Sequence, residues 1–119
     1  MSWQDLSSAP AIGTVLCRRD AVKGALPYSV ETEKGTFPII LVETDAGIAA
    51  YVNACPHQYL PLNYRRPNIL SADGRKLICS GHGALFDIET GEGLSGDGLG
   101  CTLDQVPVSL DPDGMIRIG

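Results

Sequence analysis

The stretches Cys55-Pro56-His57 and Cys79-Ser80-Gly81-His82 decide how this chain is read. They hold the only two histidines and two of the four cysteines in 119 residues, with 21 residues between His57 and Cys79. Each segment supplies one Cys and then one His. Thiolate sulfur and neutral imidazole are the usual protein ligands of borderline and soft metals, so the four residues together make either a zinc site or an iron-sulfur site. Zinc fingers pair Cys with Cys and His with His. If both segments are loops that meet at their tips, the two thiolates can take one metal ion and the two imidazoles another. That division suits a two-iron cluster and is wasteful for a single zinc ion.

Both segments follow candidate strands. Ile39-Ile40-Leu41-Val42, within residues 37–43, is a short apolar run bounded by turn formers and predicts a core strand. Asp45-Ala46-Gly47 turns the chain, and residues 48–53 return antiparallel and deliver Cys55. Ser71-Ala72-Asp73-Gly74 predicts a turn, and Lys76-Leu77-Ile78 a strand leading into Cys79. Strands that exit side by side would hold two loops at a fixed separation, as preorganised ligands require. Upstream, residues 12–18 predict a first strand around Thr14-Val15-Leu16; residues 26–31 predict a second, which Pro27 confines to a sheet edge. Leu85-Phe86-Asp87-Ile88 predicts a further strand, followed by a turn at Glu89-Thr90-Gly91. Residues 106–110 and 115–118 predict a closing hairpin around Asp111-Pro112-Asp113-Gly114. The proline-containing stretch 55–68 and the glycine-rich stretch 91–100 predict loops. Gly91-Glu92-Gly93-Leu94-Ser95-Gly96 matches the dinucleotide fingerprint by letters alone, because no helix-forming segment follows it. The expected fold class is all-β.

Hydrophobic residues make up 44% of the chain and charged ones 19%, the composition of an ordinary soluble globular domain, and the length suits one domain over residues 1–119. Nine Lys and Arg against 14 Asp and Glu leave a formal charge of −5, with no electrostatic reason to bind nucleic acid or an anionic membrane. Residues 1–20 lack a basic start followed by an apolar run, so no signal peptide is expected. No stretch approaches the roughly 20 apolar residues of a membrane span. A cytoplasmic location is the expectation, with Cys17 and Cys101 reduced. Both read as buried inert thiols, the alternatives being a disulfide or a redox-sensing thiol. Residues 1–10 read as a loose end, with Trp3 and Leu6 tucked against the body.

Taken together, these residues resemble the Rieske family. The resemblance runs over residues 37–118 and is carried by Tyr51-Val52-Asn53-Ala54-Cys55-Pro56-His57 with Pro61-Leu62, by Leu70-Ser71-Ala72-Asp73-Gly74, and by Cys79-Ser80-Gly81-His82-Gly83-Ala84-Leu85-Phe86-Asp87 with Thr90-Gly91. It implies an antiparallel sheet sandwich with a small inserted cluster-binding subdomain at about residues 54–88. It also implies a Rieske-type 2Fe-2S cluster, in which two His replace two Cys on one iron. By resemblance Cys55 and Cys79 hold the inner iron and His57 and His82 the outer, solvent-facing one, where electrons enter and leave. The implied function is that of a soluble one-electron carrier, a Rieske-type ferredoxin, working between a flavin-dependent reductase and an oxygenase or another redox enzyme. With both histidines used, no mononuclear iron triad and no Ser-His or Cys-His catalytic pair is left, so an electron-transfer protein is expected rather than an enzyme. A Rieske subunit of a larger oxidoreductase and a structural zinc module are the alternatives.

Departures from the family pattern bear on the redox potential. High-potential members carry an extra, disulfide-linked Cys in each ligand loop; here Leu60 and Gly81 stand at those positions. The Ser and Tyr that donate to the sulfurs in those members are replaced by Ala84 and Phe86. Each lost donor leaves the sulfur charge less stabilised and disfavours the added electron, which places the potential near the low end of the about −150 to +300 mV Rieske range. Where the family usually covers the cluster with a proline beside a glycine, this chain has Gly96-Asp97. Gly81 and Gly83 flank His82 and permit a tight loop. Arg65 and Arg66 read as a docking patch or as solvated surface, and residues 59–62 as cluster shielding or ordinary loop packing. The acidic balance reads as help in docking on a basic face or as solubility alone. Because added negative charge raises the proton affinity of a nearby His, the midpoint potential should fall with rising pH once the oxidised-state imidazoles titrate. Redox titrations across pH check this, and a flat profile contradicts it.

Overall fold

Side chains alternate across a strand, so a strand that is apolar at consecutive positions must be covered on both faces. Ile39, Ile40, Leu41 and Val42 are all fully buried and meet this requirement. The computed structural model describes residues 9–45, 47–54, 61–63, 68–79, 84–95 and 102–119. Among them the elements run β1 (Val15–Arg18), a 3₁₀ turn (Arg19–Ala21), β2 (Ala25–Thr32), β3 (Gly35–Thr44), β4 (Gly47–Val52), β5 (Lys76–Ile78), β6 (Leu85–Asp87), β7 (Gly93–Ser95), β8 (Val108–Leu110) and β9 (Met115–Ile118). All strand pairings are antiparallel, in three sheets of order β1-β9-β8, β2-β3-β4 and β5-β6-β7.

The middle sheet has a core on each face. Phe37, Ile39 and Leu41 of β3, with Ala50 and Val52 of β4, pack with Leu16, Ile116 and Ile118 of the β1-β9-β8 sheet. Ile40 and Val42, with Ala49 and Tyr51, pack instead with Leu77, Phe86 and Cys79 of the third sheet and its margin. The fold is therefore all-β, as expected, and built in layers. Pro27, which lacks an N–H, sits in β2 at the edge of the middle sheet, where the sequence places it.

One expectation fails. The glycine-rich stretch is not loop throughout, because Gly93–Ser95 forms β7 and pairs with β6. Glycine weakens a strand through entropy and missing packing, but Leu85 and Phe86 of β6 supply a partner ready to be paired. The closing hairpin begins at Val108 rather than Val106, whose N–H donates instead to Ala50 O of β4 at 2.8 Å. β1 starts at Val15, three residues later than expected, and the remaining strand ends agree with the sequence reading within one or two residues, the usual uncertainty of such boundaries.

Tyr51 ties the middle sheet to the third. Its hydroxyl donates to Ile88 O, just beyond β6, at 2.8 Å, and the side chain is fully buried. Gly91 lies against its ring. At φ +76° the backbone is in the left-handed region, and a Cβ there would come within 2.8 Å of the Tyr51 ring, so both conformation and space require glycine. Burial, aided by the charges of Asp87 and Glu89, pushes the Tyr51 hydroxyl from its ordinary value of 10 up to about 12. The folded chain thus keeps this proton where the unfolded chain loses it, and stability falls as pH rises from 10 through about 12. Tyr51→Phe, which leaves Ile88 O without this donor, should cost about 1–3 kcal/mol at neutral pH. It should also flatten that alkaline loss, as denaturant titrations at neutral and alkaline pH would show.

Candidate metal centre

Of the four Cys and His of the paired segments, Cys79 is the one among the described residues, and its placement follows from the hairpin that carries it. β5 and β6 pair Lys76 with Asp87, Leu77 with Phe86 and Ile78 with Leu85. The ladder continues one step further, where Cys79 N–H donates to Ala84 O at 2.9 Å. On the other side of β5, Ile78 N–H donates to Ile69 O at 2.7 Å and Ser71 N–H to Lys76 O at 2.9 Å, so Cys79 ends a strand held along both edges. Below it, the Ser71–Gly74 turn is fastened by Asp73. That carboxylate accepts from Ser71 Oγ at 2.5 Å and Arg75 N–H at 3.0 Å and pairs with Lys76 Nζ at 3.1 Å. These bonds, Ser71 first, hold the Asp73 carboxyl well below its usual range.

The Cys79 side chain is 2% exposed and lies in the core that contains Leu62, Ile69, Leu77, Ala84 and Phe86. A thiolate in apolar surroundings needs a compensating cation, and a bound metal ion supplies one. Ala84 and Phe86 are fully buried and carry no side-chain donor, as their residue types require. The donor set as a whole, two thiols and two imidazoles, fits an iron-sulfur group.

The first Cys-His segment lies in sequence between Asn53 and Leu62. β4 ends at Val52; Asn53 N–H then donates to Pro38 O of β3 at 3.0 Å. The Asn53 side chain reaches over to where the chain returns. Its Oδ1 accepts from Leu62 N–H at 2.8 Å, and its Nδ2 donates to Asn63 Oδ1 at 3.0 Å. Leu62 is fully buried in the same core as Cys79, while Pro61 beside it is exposed. The first Cys-His segment thus leaves beside the other core, at Val52 and Ala54, and finishes at Leu62 in the core that holds Cys79 and Ala84 at the two ends of the second. Cys55, His57 and His82 lie outside the described residues, as do Trp3, Leu6, Tyr59, Leu60, Arg65, Arg66, Gly81, Gly83, Gly96, Asp97 and Cys101. Sequence reasoning quoted Asn53 and Tyr51 as part of a motif without giving either a role; the available signal was a polar amide at the end of an otherwise apolar strand.

Two other features compete poorly for the chemistry. Cys17 is half-buried on β1, against the core on the opposite face of the middle sheet from Cys79, and burial raises its thiol pKa toward the inert protonated form. A cleft of about 360 Å³ is lined by Glu43, Asp45, Asp73, Asp87 and Glu89 with Arg75. Four of its five carboxylates are engaged within the fold: Asp73 as above, Glu43 by Arg19 at 3.1 Å and Gly24 N–H at 2.6 Å, Asp45 by Arg75 at 3.6 Å, and Asp87 by Glu89 N–H at 2.7 Å. No group of three or more His, Cys, Asp or Glu among the described residues could hold a metal ion. No helix among them is long and apolar enough to cross a membrane.

The Rieske [2Fe-2S] domain model matches residues 14–107. Among solved structures, the ferredoxin of carbazole 1,9a-dioxygenase from Nocardioides aromaticivorans IC177 is 17% identical with a TM-score of 0.71, over 92% of this chain and 98% of that one. A Sphingomonas yanoikuyae B1 ferredoxin is 26% identical with a TM-score of 0.66, over 89% and 96%. A Mycobacterium tuberculosis protein, provisionally assigned as the small subunit of an NADH-dependent nitrite reductase, is 20% identical with a TM-score of 0.66, over 90% and 93%. No curated protein matches the sequence. The match runs from just before β1 to just past the strand pairing that follows β7, and takes in both Cys-His segments; the chain belongs to the Rieske [2Fe-2S] domain family, whose members bind a Rieske-type 2Fe-2S cluster.

Proposed function

We propose that this chain is a soluble, cytoplasmic one-electron carrier in which Cys55 and Cys79 ligate the inner iron and His57 and His82 the outer iron of the cluster. Cys79 carries the reading: its buried position at the end of a doubly paired strand suits a thiolate ligand sheltered from water. When bound, the cluster supplies a site that gains and loses one electron at a time. Cys79 contributes a negative ligand from a rigid hairpin, and the buried core around it excludes water. Ala84 and Phe86 offer no hydroxyl to the sulfurs, which supports a potential near the low end of the family range. The cluster-holding part extends over about residues 54–88, which include β5 and β6 of the third sheet, within a single domain.

The partners that suit this reading are a reductase on one side and an oxygenase or other redox enzyme on the other. The likeness to ferredoxins over nearly their whole length supports it, as does a solved complex of a reduced oxygenase with an oxidised ferredoxin in carbazole 1,9a-dioxygenase. A second reading, a Rieske subunit held permanently in a larger oxidoreductase, draws support from the likeness to the nitrite reductase small subunit. Purification at native expression separates the two: a freely exchanging carrier elutes alone, and a subunit elutes with its enzyme.

Anaerobically purified protein should contain about two irons and two labile sulfides per chain, with the EPR signal of a His-ligated 2Fe-2S centre on reduction. Cys79→Ser should lose that signal; colourless protein with stoichiometric zinc would overturn the proposal. Phe86→Tyr, by offering a hydroxyl beside Cys79, should raise the midpoint potential by about 60 mV if the new bond is worth about 1.4 kcal/mol, as a redox titration would show.

A further inference from the structure

Asn53 is the one buried polar or charged residue among those described, at 6% exposure, and its side-chain oxygen and nitrogen bond two adjacent residues, Leu62 and Asn63. Its backbone N–H holds it to Pro38 O of the middle sheet, and its side chain holds Leu62 N–H and Asn63 Oδ1. A buried amide in a protein core is costly unless its donor and acceptor are both used, and here both are used across the base of one loop. The eight residues 54–61 that lie between Asn53 and Leu62 in sequence include Cys55, two positions on, and His57. Leu62, fastened by Asn53, is buried in the core that also holds Cys79.

From this geometry we infer that Asn53 is the positioning residue of the first ligand loop: its amide clasps the loop's end to its start and thereby sets where Cys55 and His57 stand relative to Cys79. The inference rests on the ligand assignment proposed above. Asn53 touches neither metal nor sulfide in this account; it acts through the backbone of the loop it closes. An apolar residue of similar size would fill the space and leave Leu62 N–H without this acceptor. An aspartate would keep that acceptor, and the Asn63 amide can turn over to donate to it.

The test compares Asn53→Leu, Asn53→Asp and Asn63→Ala in full-length, cluster-loaded protein. Loss of iron from oxidised protein to a colorimetric chelator, the EPR line shape of reduced protein, and unfolding by denaturant are read in parallel. Asn53→Leu should release iron at least about tenfold faster than native protein and shift the EPR line shape, while still faster than its own global unfolding. Asn53→Asp should bring the rate back to within about threefold of native, and Asn63→Ala, which removes the outer bond alone, should accelerate release about threefold. A merely structural role would lower unfolding resistance and leave the line shape unmoved. If Asn53→Leu does not fold, Asn63→Ala decides, and release at the native rate overturns the clasp. Native protein that is loaded, with variants that release iron normally, overturns the clasp alone. Native protein that carries no iron or sulfide overturns the ligand assignment and the clasp with it.

Discussion

Double-sided burial of the β3–β4 hairpin is the constraint on which the rest of this molecule depends. Each strand sends alternate side chains to opposite cores, so the same run that holds the β1-β9-β8 sheet on one face holds the third sheet on the other. A fully buried Ile, Leu or Val contributes about 1.5–3 kcal/mol, and residues 39–42 place four such side chains at the centre of the molecule. The cost of this arrangement is that no position on β3 between Phe37 and Val42 can carry charge, and none does. The described ends of the two Cys-His segments lie against that hairpin: one segment leaves from the end of β4, and the other starts at Cys79 on a hairpin whose Leu77 and Phe86 pack with Ile40 and Val42.

Polar groups appear in this region where the chain has to change direction. Tyr51 and Asn53 lie near the end of β4 and just beyond it, and each uses its polar atoms to catch a segment returning from elsewhere, Ile88 in one case and Leu62 in the other. Among the described residues no buried side-chain nitrogen or oxygen lacks a partner. The polar contacts are thus few and satisfied, which is what a low-dielectric surround for a redox centre requires.

The sequence reading and the structure agree most closely where the signal is local. The 39–42 run, the edge placement of Pro27 and the turn at residues 111–114 each follow from a few neighbouring residues, and each is found. The reading failed at β7, because a strand with a glycine is formed by the partner it meets rather than by its own propensity. The roles of Asn53 and Tyr51 were equally invisible, since the residues they bind lie nine and 37 positions away.

By itself the sequence determined the chemistry available to this protein: two Cys and two His in paired segments, apolar strands ahead of each, and no Cys at positions 60 and 81 or hydroxyl at positions 84 and 86. Those are matters of residue type and spacing, and they survive without coordinates. Tertiary structure alone decided that Cys79 and Leu62 share one core while Cys17 lies against the other, and that the buried Asn53 amide accepts from Leu62 N–H. Such contacts depend on which faces of distant strands are brought together, and alternation along a strand says that a side chain is covered without saying by what.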